Sequence, residues 1–199
     1  MWKTIWPRVE NEAIRIVYLF PKGSIWQTRY LVFPFALVVS TFTLTHGVLN
    51  PFDRIFWFIF GVSSWTLLEY ILHRYILHYN AKSKVGQAIV NRLHQFHHGT
   101  PSDDSQVCMP LLLTLPIWIT VWVLILAFGG NFEGAAQYVS GLALMMTIYD
   151  ITHYSTHYMK PTNALLKYLK KYHMDHHFLG ENRKFGVTSP FWDLVFRTR

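Results

Sequence analysis

Ten of the 11 histidines in this chain fall into four short clusters, and long uncharged runs separate them. The first cluster is His73-Arg-Tyr-Ile-Leu-His78 and the second is His94-Gln-Phe-His97-His98. The third is His153-Tyr-Ser-Thr-His157 and the fourth is His173-Met-Asp-His176-His177, which repeats the spacing of the second. Neutral imidazole is the commonest protein metal ligand. Ten of them at such spacings exceed the needs of one ion and suit two. Any fold open to this chain has to bring the clusters together. Only His46 stands apart, and a structural role is expected for it.

The runs between the clusters set the frame. Tyr30 to Leu49 carries no Asp, Glu, Lys or Arg, and roughly 20 apolar residues cross a bilayer core. Residues 55–78 begin apolar and aromatic, then acquire Glu69, His73, Arg74 and His78. Residues 110–128 are again uncharged, and residues 135–158 stay so until Asp150 before carrying the third cluster. Charged residues make up 15% of the chain, against about 25% in soluble domains. The expected fold is therefore an all-α integral membrane protein. It has four transmembrane helices, at 30–49, 55–78, 110–128 and 135–158, and a cytoplasmic histidine-rich helical cap at 159–199. The whole, 1–199, reads as one domain. Residues 1–24, with Trp2, Trp6 and Tyr18 among basic and apolar residues, read as an interfacial segment ended by Pro21-Lys-Gly-Ser24. The 79–109 stretch reads as a polar loop that carries the second cluster, and Asn50-Pro-Phe-Asp53 as a tight turn.

Four spans put both termini on one side. Of the 18 Lys and Arg residues, only Arg54 falls on the opposite turns, 50–54 and 129–134. The excess of positive charge marks the cytoplasmic face. From Ile55 to His73 is about 27 Å of helix at 1.5 Å per residue, and Ala135 to His153 is the same distance. All ten clustered histidines thus reach one cytoplasmic edge. The chain is expected in the inner membrane if bacterial, or in the endoplasmic reticulum if eukaryotic. The basic residues flank spans instead of forming one patch, which argues against a nucleic-acid partner. The single cysteine, Cys108, excludes an intrachain disulfide.

On a helix, His153 and His157 share one face. His94 with His97 and His98, and His173 with His176 and His177, would each serve two neighbouring ions. His73 and His78 lie about 140° apart on an α-helix, which assigns them to different ions. All-nitrogen sites suit Zn, Cu, Fe and Ni. The nearby carboxylates, Glu69, Asp150 and Asp175, are placed to accept the outer N–H of a ligand histidine.

The cluster set resembles the fatty acid hydroxylase superfamily of membrane di-iron oxygenases. Within it the chain looks most like the fatty acid 2-hydroxylases of sphingolipid acyl chains. The resemblance is carried by Glu69-Tyr-Ile-Leu-His-Arg, Tyr149-Asp150-x-x-His153-Tyr154 and Lys171-Tyr-His-Met-Asp-His-His-Phe178. Gly186-Val-Thr-Ser189, Phe191-Trp-Asp193 and Val195-Phe196 extend it. The chain departs from the family pattern at Gln106, where an arginine is usual after Pro101 and Asp103, and at Tyr158, where a second histidine is common.

The resemblance implies a ligand set of His73, His78, His94, His97, His98, His153, His157, His173, His176 and His177 around two Fe ions, which Zn replaces in some preparations. It implies an O2-dependent hydroxylation of a lipid acyl chain, at C2 of a fatty acid or sphingolipid acyl group. The fungal and animal members begin with a cytochrome b5 domain, which this sequence lacks. Electrons are then expected from a separate cytochrome b5-like or ferredoxin-like donor. The acyl chain is expected in a groove near Phe58, Trp65 or Trp118. A sterol or carotenoid hydroxylase or desaturase has the same ligands and a different groove. A membrane metal-binding protein or transporter is the alternative of another class, and ligands at the bilayer midplane would distinguish it.

Overall fold

The computed structural model describes residues 2–19 and 22–199, with side chains at 9–19, 22–111 and 113–199. Trp2, Trp6 and Pro21 therefore lie outside the described side chains. All regular secondary structure among the described residues is helical, with no strand among them. Helix α1 is Trp2–Leu19 and packs on the helical stretch 84–99, α4, where Lys84 meets Glu10 at 3.6 Å. Helix α2 is Ile25–His46 and α3 is Pro51–Leu77. Helix α5 is Leu111–Ala127, α6 is Phe132–Tyr158, α7 is Ala164–Leu179 and α8 is Phe191–Val195. Two of these, α2 and α3, are long and apolar enough to cross a membrane, and α5 holds a shorter apolar stretch.

The helix starts follow local chemistry. A side-chain oxygen at the N-cap satisfies one of the first free amides of a helix. Asn50 accepts from Asp53 N at 3.0 Å, Asn131 from Gly134 N at 2.7 Å and Asn163 from Leu166 N at 2.9 Å. The stretch read as a turn at Asn50–Asp53 is thus the first turn of α3. The 79–109 stretch is also no simple loop. Ser83 caps a helix by accepting from Gly86 N at 3.1 Å, and the chain stays helical to Gly99 with the second cluster on it. Polar composition suggested a loop there. Ala88, Val90, His94 and His97 instead form a buried face.

Helix α6 is the axis of the molecule. It packs against α2, α3 and α5, and Leu142, Met146 and Tyr149 on it are buried against Trp65 of α3 and Val32 of α2. Backbones of α3 and α6 meet closely: a Cβ on Gly61 would stand 2.1 Å from the Tyr138 carbonyl oxygen, and one on Gly141 2.4 Å from that of Phe58. Trp65 and Trp118 are 1% and 5% exposed core residues, so these two expected groove walls are packing elements, whereas Phe58 is half-buried. At the end remote from the clusters, Arg54 donates to the carbonyls of Leu44 (2.7 Å) and Gly47 (2.5 Å) and pairs with Glu133 at 3.1 Å. Glu133 also accepts from the amides of Val48 and Leu49, both at 2.9 Å. The lone basic residue of that end thus fastens the α2–α3 turn to the start of α6. His46 stacks on Phe42 there, apart from the other histidines.

Candidate metal centre

Four elements deliver the ten histidines to one place. Helix α3 carries His73 and His78, α4 carries His94, His97 and His98, α6 carries His153 and His157, and α7 carries His173, His176 and His177. They sort into two groups of five. The first is His73, His78, His94, His98 and His176; the second is His97, His153, His157, His173 and His177. Within each group one ring nitrogen per residue lies within 4.8 Å of all the others.

The sorting follows helix geometry with one exception. Each His-x2-His-His cluster sends its i,i+4 pair to one group and its middle histidine to the other. His94 and His98 therefore stay together, as do His173 and His177, while His97 and His176 cross over. The exception is His73 with His78, which share a group although an α-helix would splay them. The last turn of α3, Leu72–Leu77, is a π-helix, in which the hydrogen bond closes five residues back. The His78 amide donates to the His73 carbonyl at 3.2 Å, and this wider turn brings residue 78 beneath residue 73. The expectation that the two serve different ions is corrected accordingly.

The donor chemistry fits a cation in each group. Nε2 of His94 lies 3.0 Å from Nε2 of both His73 and His98, and Nε2 of His78 lies 3.1 Å from that of His176. In the second group, Nε2 of His157 lies 2.9 Å from that of His173 and 3.1 Å from that of His97. Nδ1 of His73 donates to the Phe185 carbonyl at 2.5 Å, and Nδ1 of His176 to that of Arg183 at 2.6 Å. A carbonyl only accepts, so in each neutral ring Nδ1 holds the proton and Nε2 presents a lone pair inward. Neither ring nitrogen of buried His153 has a hydrogen-bond partner. Lone pairs crowded at about 3 Å in a buried site repel unless a cation lies among them.

Burial keeps these rings neutral. Desolvation, then the neighbouring imidazoles, holds His94, His98 and His173 well below the usual histidine range. Desolvation brings His97 down to about 3, with His157 adding to it, and His177 down to about 2, with His97 adding to it. His176 comes down to about 4 through burial, opposed by its bond to Arg183. Neutral imidazole is the form that binds metal.

The carboxylates lie elsewhere than expected. Glu69 accepts from the amides of Val187 (2.6 Å) and Thr188 (2.9 Å) and from the Thr188 hydroxyl. Asp150 accepts from Met109 N at 2.9 Å and from the Thr28 hydroxyl. Asp175 pairs with Lys184 and Lys171, which hold it below the usual carboxylate range. None of the three bonds a histidine; backbone carbonyls take that place. The residue the sequence reading left without a role is Asp193. It is fully buried and accepts from the amides of Phe185 (2.9 Å) and Gly186 (2.7 Å). At the position where the family has arginine, buried Gln106 has the Lys22 amine beside it, and Lys22 also donates to Ser105 at 2.6 Å.

The sequence model of the fatty acid hydroxylase family matches residues 58–198, which contain all ten of these histidines. The chain belongs to the fatty acid hydroxylase family. Among curated members, dihydroceramide fatty acyl 2-hydroxylase FAH1 of Arabidopsis thaliana is 36% identical over 140 residues, 70% of this chain and 59% of that protein. Ceramide very long chain fatty acid hydroxylase scs7 of Schizosaccharomyces pombe is 37% identical over 153 residues, 74% of this chain and 44% of that protein. The chain thus spans about half the length of the curated relatives it matches. The solved structure described as full-length scs7p, with only the hydroxylase domain visible, superposes with a TM-score of 0.80 at 31% identity. That match covers 89% of this chain and 67% of the other.

Proposed function

We propose that this chain is a membrane lipid hydroxylase that places a hydroxyl on C2 of a fatty acid or sphingolipid acyl chain. The observation that carries the reading is the pair of five-histidine groups in a member of the fatty acid hydroxylase family. The relatives named as fatty acyl and ceramide hydroxylases support the substrate class. Ten histidines, His73, His78, His94, His98 and His176 with His97, His153, His157, His173 and His177, hold two iron ions. When bound, the iron pair supplies the activation of O2 needed to oxidise an unactivated C–H bond. The protein fixes the inward lone pairs through the Phe185 and Arg183 carbonyls and keeps the rings neutral by burial. Electrons come from a separate cytochrome b5-like or ferredoxin-like donor.

The chain acts as one domain, 1–199, with four spans. Two long apolar helices support this. Helix α6 is less apolar because α2, α3 and α5 cover it, so its Gln137, Thr147 and Asp150 meet protein. The histidine-bearing ends of α3 and α6, with α7, form the cytoplasmic cap, and both termini lie on that side. Ligands at one edge fit an oxygenase acting on membrane lipid better than a transporter, whose sites lie near the midplane.

Lipid mass spectrometry of cells expressing the chain tests this. The expected product is an acyl species heavier by one oxygen atom, with the hydroxyl at C2. His97→Ala and His176→Ala each abolish it while the protein still inserts in the membrane. Oxidation of a sterol or carotenoid with no acyl product would transfer the chain to another branch of the family. Full turnover in either variant would remove that residue from the ligand set.

A further inference from the structure

The two histidine groups are not equally supported from outside. In the first, Nδ1 of His73 and Nδ1 of His176 donate to carbonyls at 2.5 and 2.6 Å. The Gln95 amide stands 3.2 Å from Nδ1 of His78; a Glu181 carboxylate oxygen is 3.6 Å from Nδ1 of His98, beyond hydrogen-bond reach, so that nitrogen has no hydrogen-bond partner among the described residues. In the second, Nδ1 of His97, His153, His173 and His177 has no hydrogen-bond partner among the described residues. Nδ1 of His157 alone in this group is not among these unpartnered nitrogens.

Both carbonyls of the first group come from one short segment, 183–188, and two buried carboxylates fix it. Glu69 of α3 holds Val187 and Thr188, and Asp193 of α8 holds Phe185 and Gly186. Asp193 also accepts from the Thr198 hydroxyl at 2.7 Å, and the Lys184 amide donates to the Thr198 carbonyl at 2.6 Å. The fit is close: a Cβ on Gly186 would stand 2.0 Å from the Ser189 carbonyl oxygen. An N–H···O=C bond behind a ligand imidazole sets its tautomer, orients the ring and raises its basicity. Losing such a partner weakens metal binding roughly 10–100-fold.

We propose that segment 183–188 is a strap that makes the two metal sites unequal, with Glu69 and Asp193 as its positioning residues. The first group, held through His73 and His176, keeps its ion more tightly than the second. The inference rests on the reading of the ten histidines as two metal-binding groups.

The test uses the purified full chain in detergent, loaded with two equivalents of zinc and dialysed against graded chelator, with bound zinc counted. Zinc leaves in two steps, with one ion retained over at least about a tenfold range of chelator. His153→Ala, in the second group, deletes the early step and keeps the late one. Asp193→Asn moves the late step toward the early one by about 10–100-fold and leaves the early one in place. Glu69→Gln does the same more mildly, because an amide oxygen still accepts two N–H groups. Release of both ions from the wild-type chain in one step overturns the proposal, as does an equal shift of both steps in Asp193→Asn. Loss of the late step in His153→Ala does so too, since it inverts the assignment. If Asp193→Asn does not fold, the wild-type and His153→Ala titrations still decide. A wild-type chain that takes up fewer than two zinc ions fails differently: it removes the two-group reading itself.

Discussion

A buried imidazole beside other imidazoles resists protonation, and that gives the residues of this site a defined pH behaviour. In the unfolded chain each histidine titrates near about 6.5. In the folded chain without metal, burial brings His97 down to about 3 and His176 to about 4. Above about pH 6.5 neither state binds the proton, and stability is independent of these groups. As the pH falls below that, the unfolded chain gains protons that the folded chain excludes, so stability falls until the folded values are reached. The metal-free protein in detergent is therefore expected to lose thermal stability steadily between pH 7 and pH 4.5. A melting temperature that stays flat or rises over that range would contradict the burial of the rings. Much of this was legible at the residue level. The spacing of His94 with His98, His153 with His157, and His173 with His177 already places each pair on one helix face. The outer partners were not, because the carbonyls of Phe185 and Arg183 are backbone atoms that any residue supplies.

The helices turn these residue positions into a site, and their departures from regular geometry were invisible in the sequence. Nothing in Leu-His-Arg-Tyr-Ile-Leu announces the π turn that unites His73 with His78. Helix α4 was hidden for another reason: its polar outer face masks a buried face made largely of histidine. The α3–α6 contact is the joint on which the site depends, since one end of each helix carries a histidine pair. Glycines 61 and 141 allow the backbones to touch. Gly61→Ala and Gly141→Ala each place a Cβ against main-chain atoms, and overpacking of this kind costs about 1–3 kcal/mol. Both substitutions are expected to lower the melting temperature and the bound metal per chain together. Gly99→Ala is the control, since a Cβ there meets nothing within 4 Å. Unchanged metal content in both core variants would show that the histidines hold their places without the close joint.

For the whole molecule, the surface is the decisive feature. Leu37, Val38, Phe42, Phe56, Ile119 and Val123 are more than half exposed on α2, α3 and α5, an arrangement costly in water and favourable in hydrocarbon. Charged groups gather toward the ends of the helices, and polar residues within them, such as Gln137 and Thr147, are buried against protein. At one end Arg54 and Glu133 close the α2–α3 turn onto α6; at the other lie the ten clustered histidines and, apart from Arg54, the Lys and Arg residues. A positively charged end remains in the cytoplasm, so the two ends should be accessible from opposite compartments. Single cysteines introduced at Lys82 and Lys160, both exposed beside the histidine end, report one side. Cysteines at Val48 and Phe128, 96% and 87% exposed at the other end, report the opposite one. The native Cys108 is buried and contributes little background. In sealed vesicles with the cytoplasmic face outward, a membrane-impermeant thiol reagent is expected to label the first pair at once and the second only after detergent is added. Equal labelling of Lys82→Cys and Val48→Cys before detergent would mean that α2 and α3 do not cross the bilayer. The metal centre would then belong to a protein lying on the membrane surface.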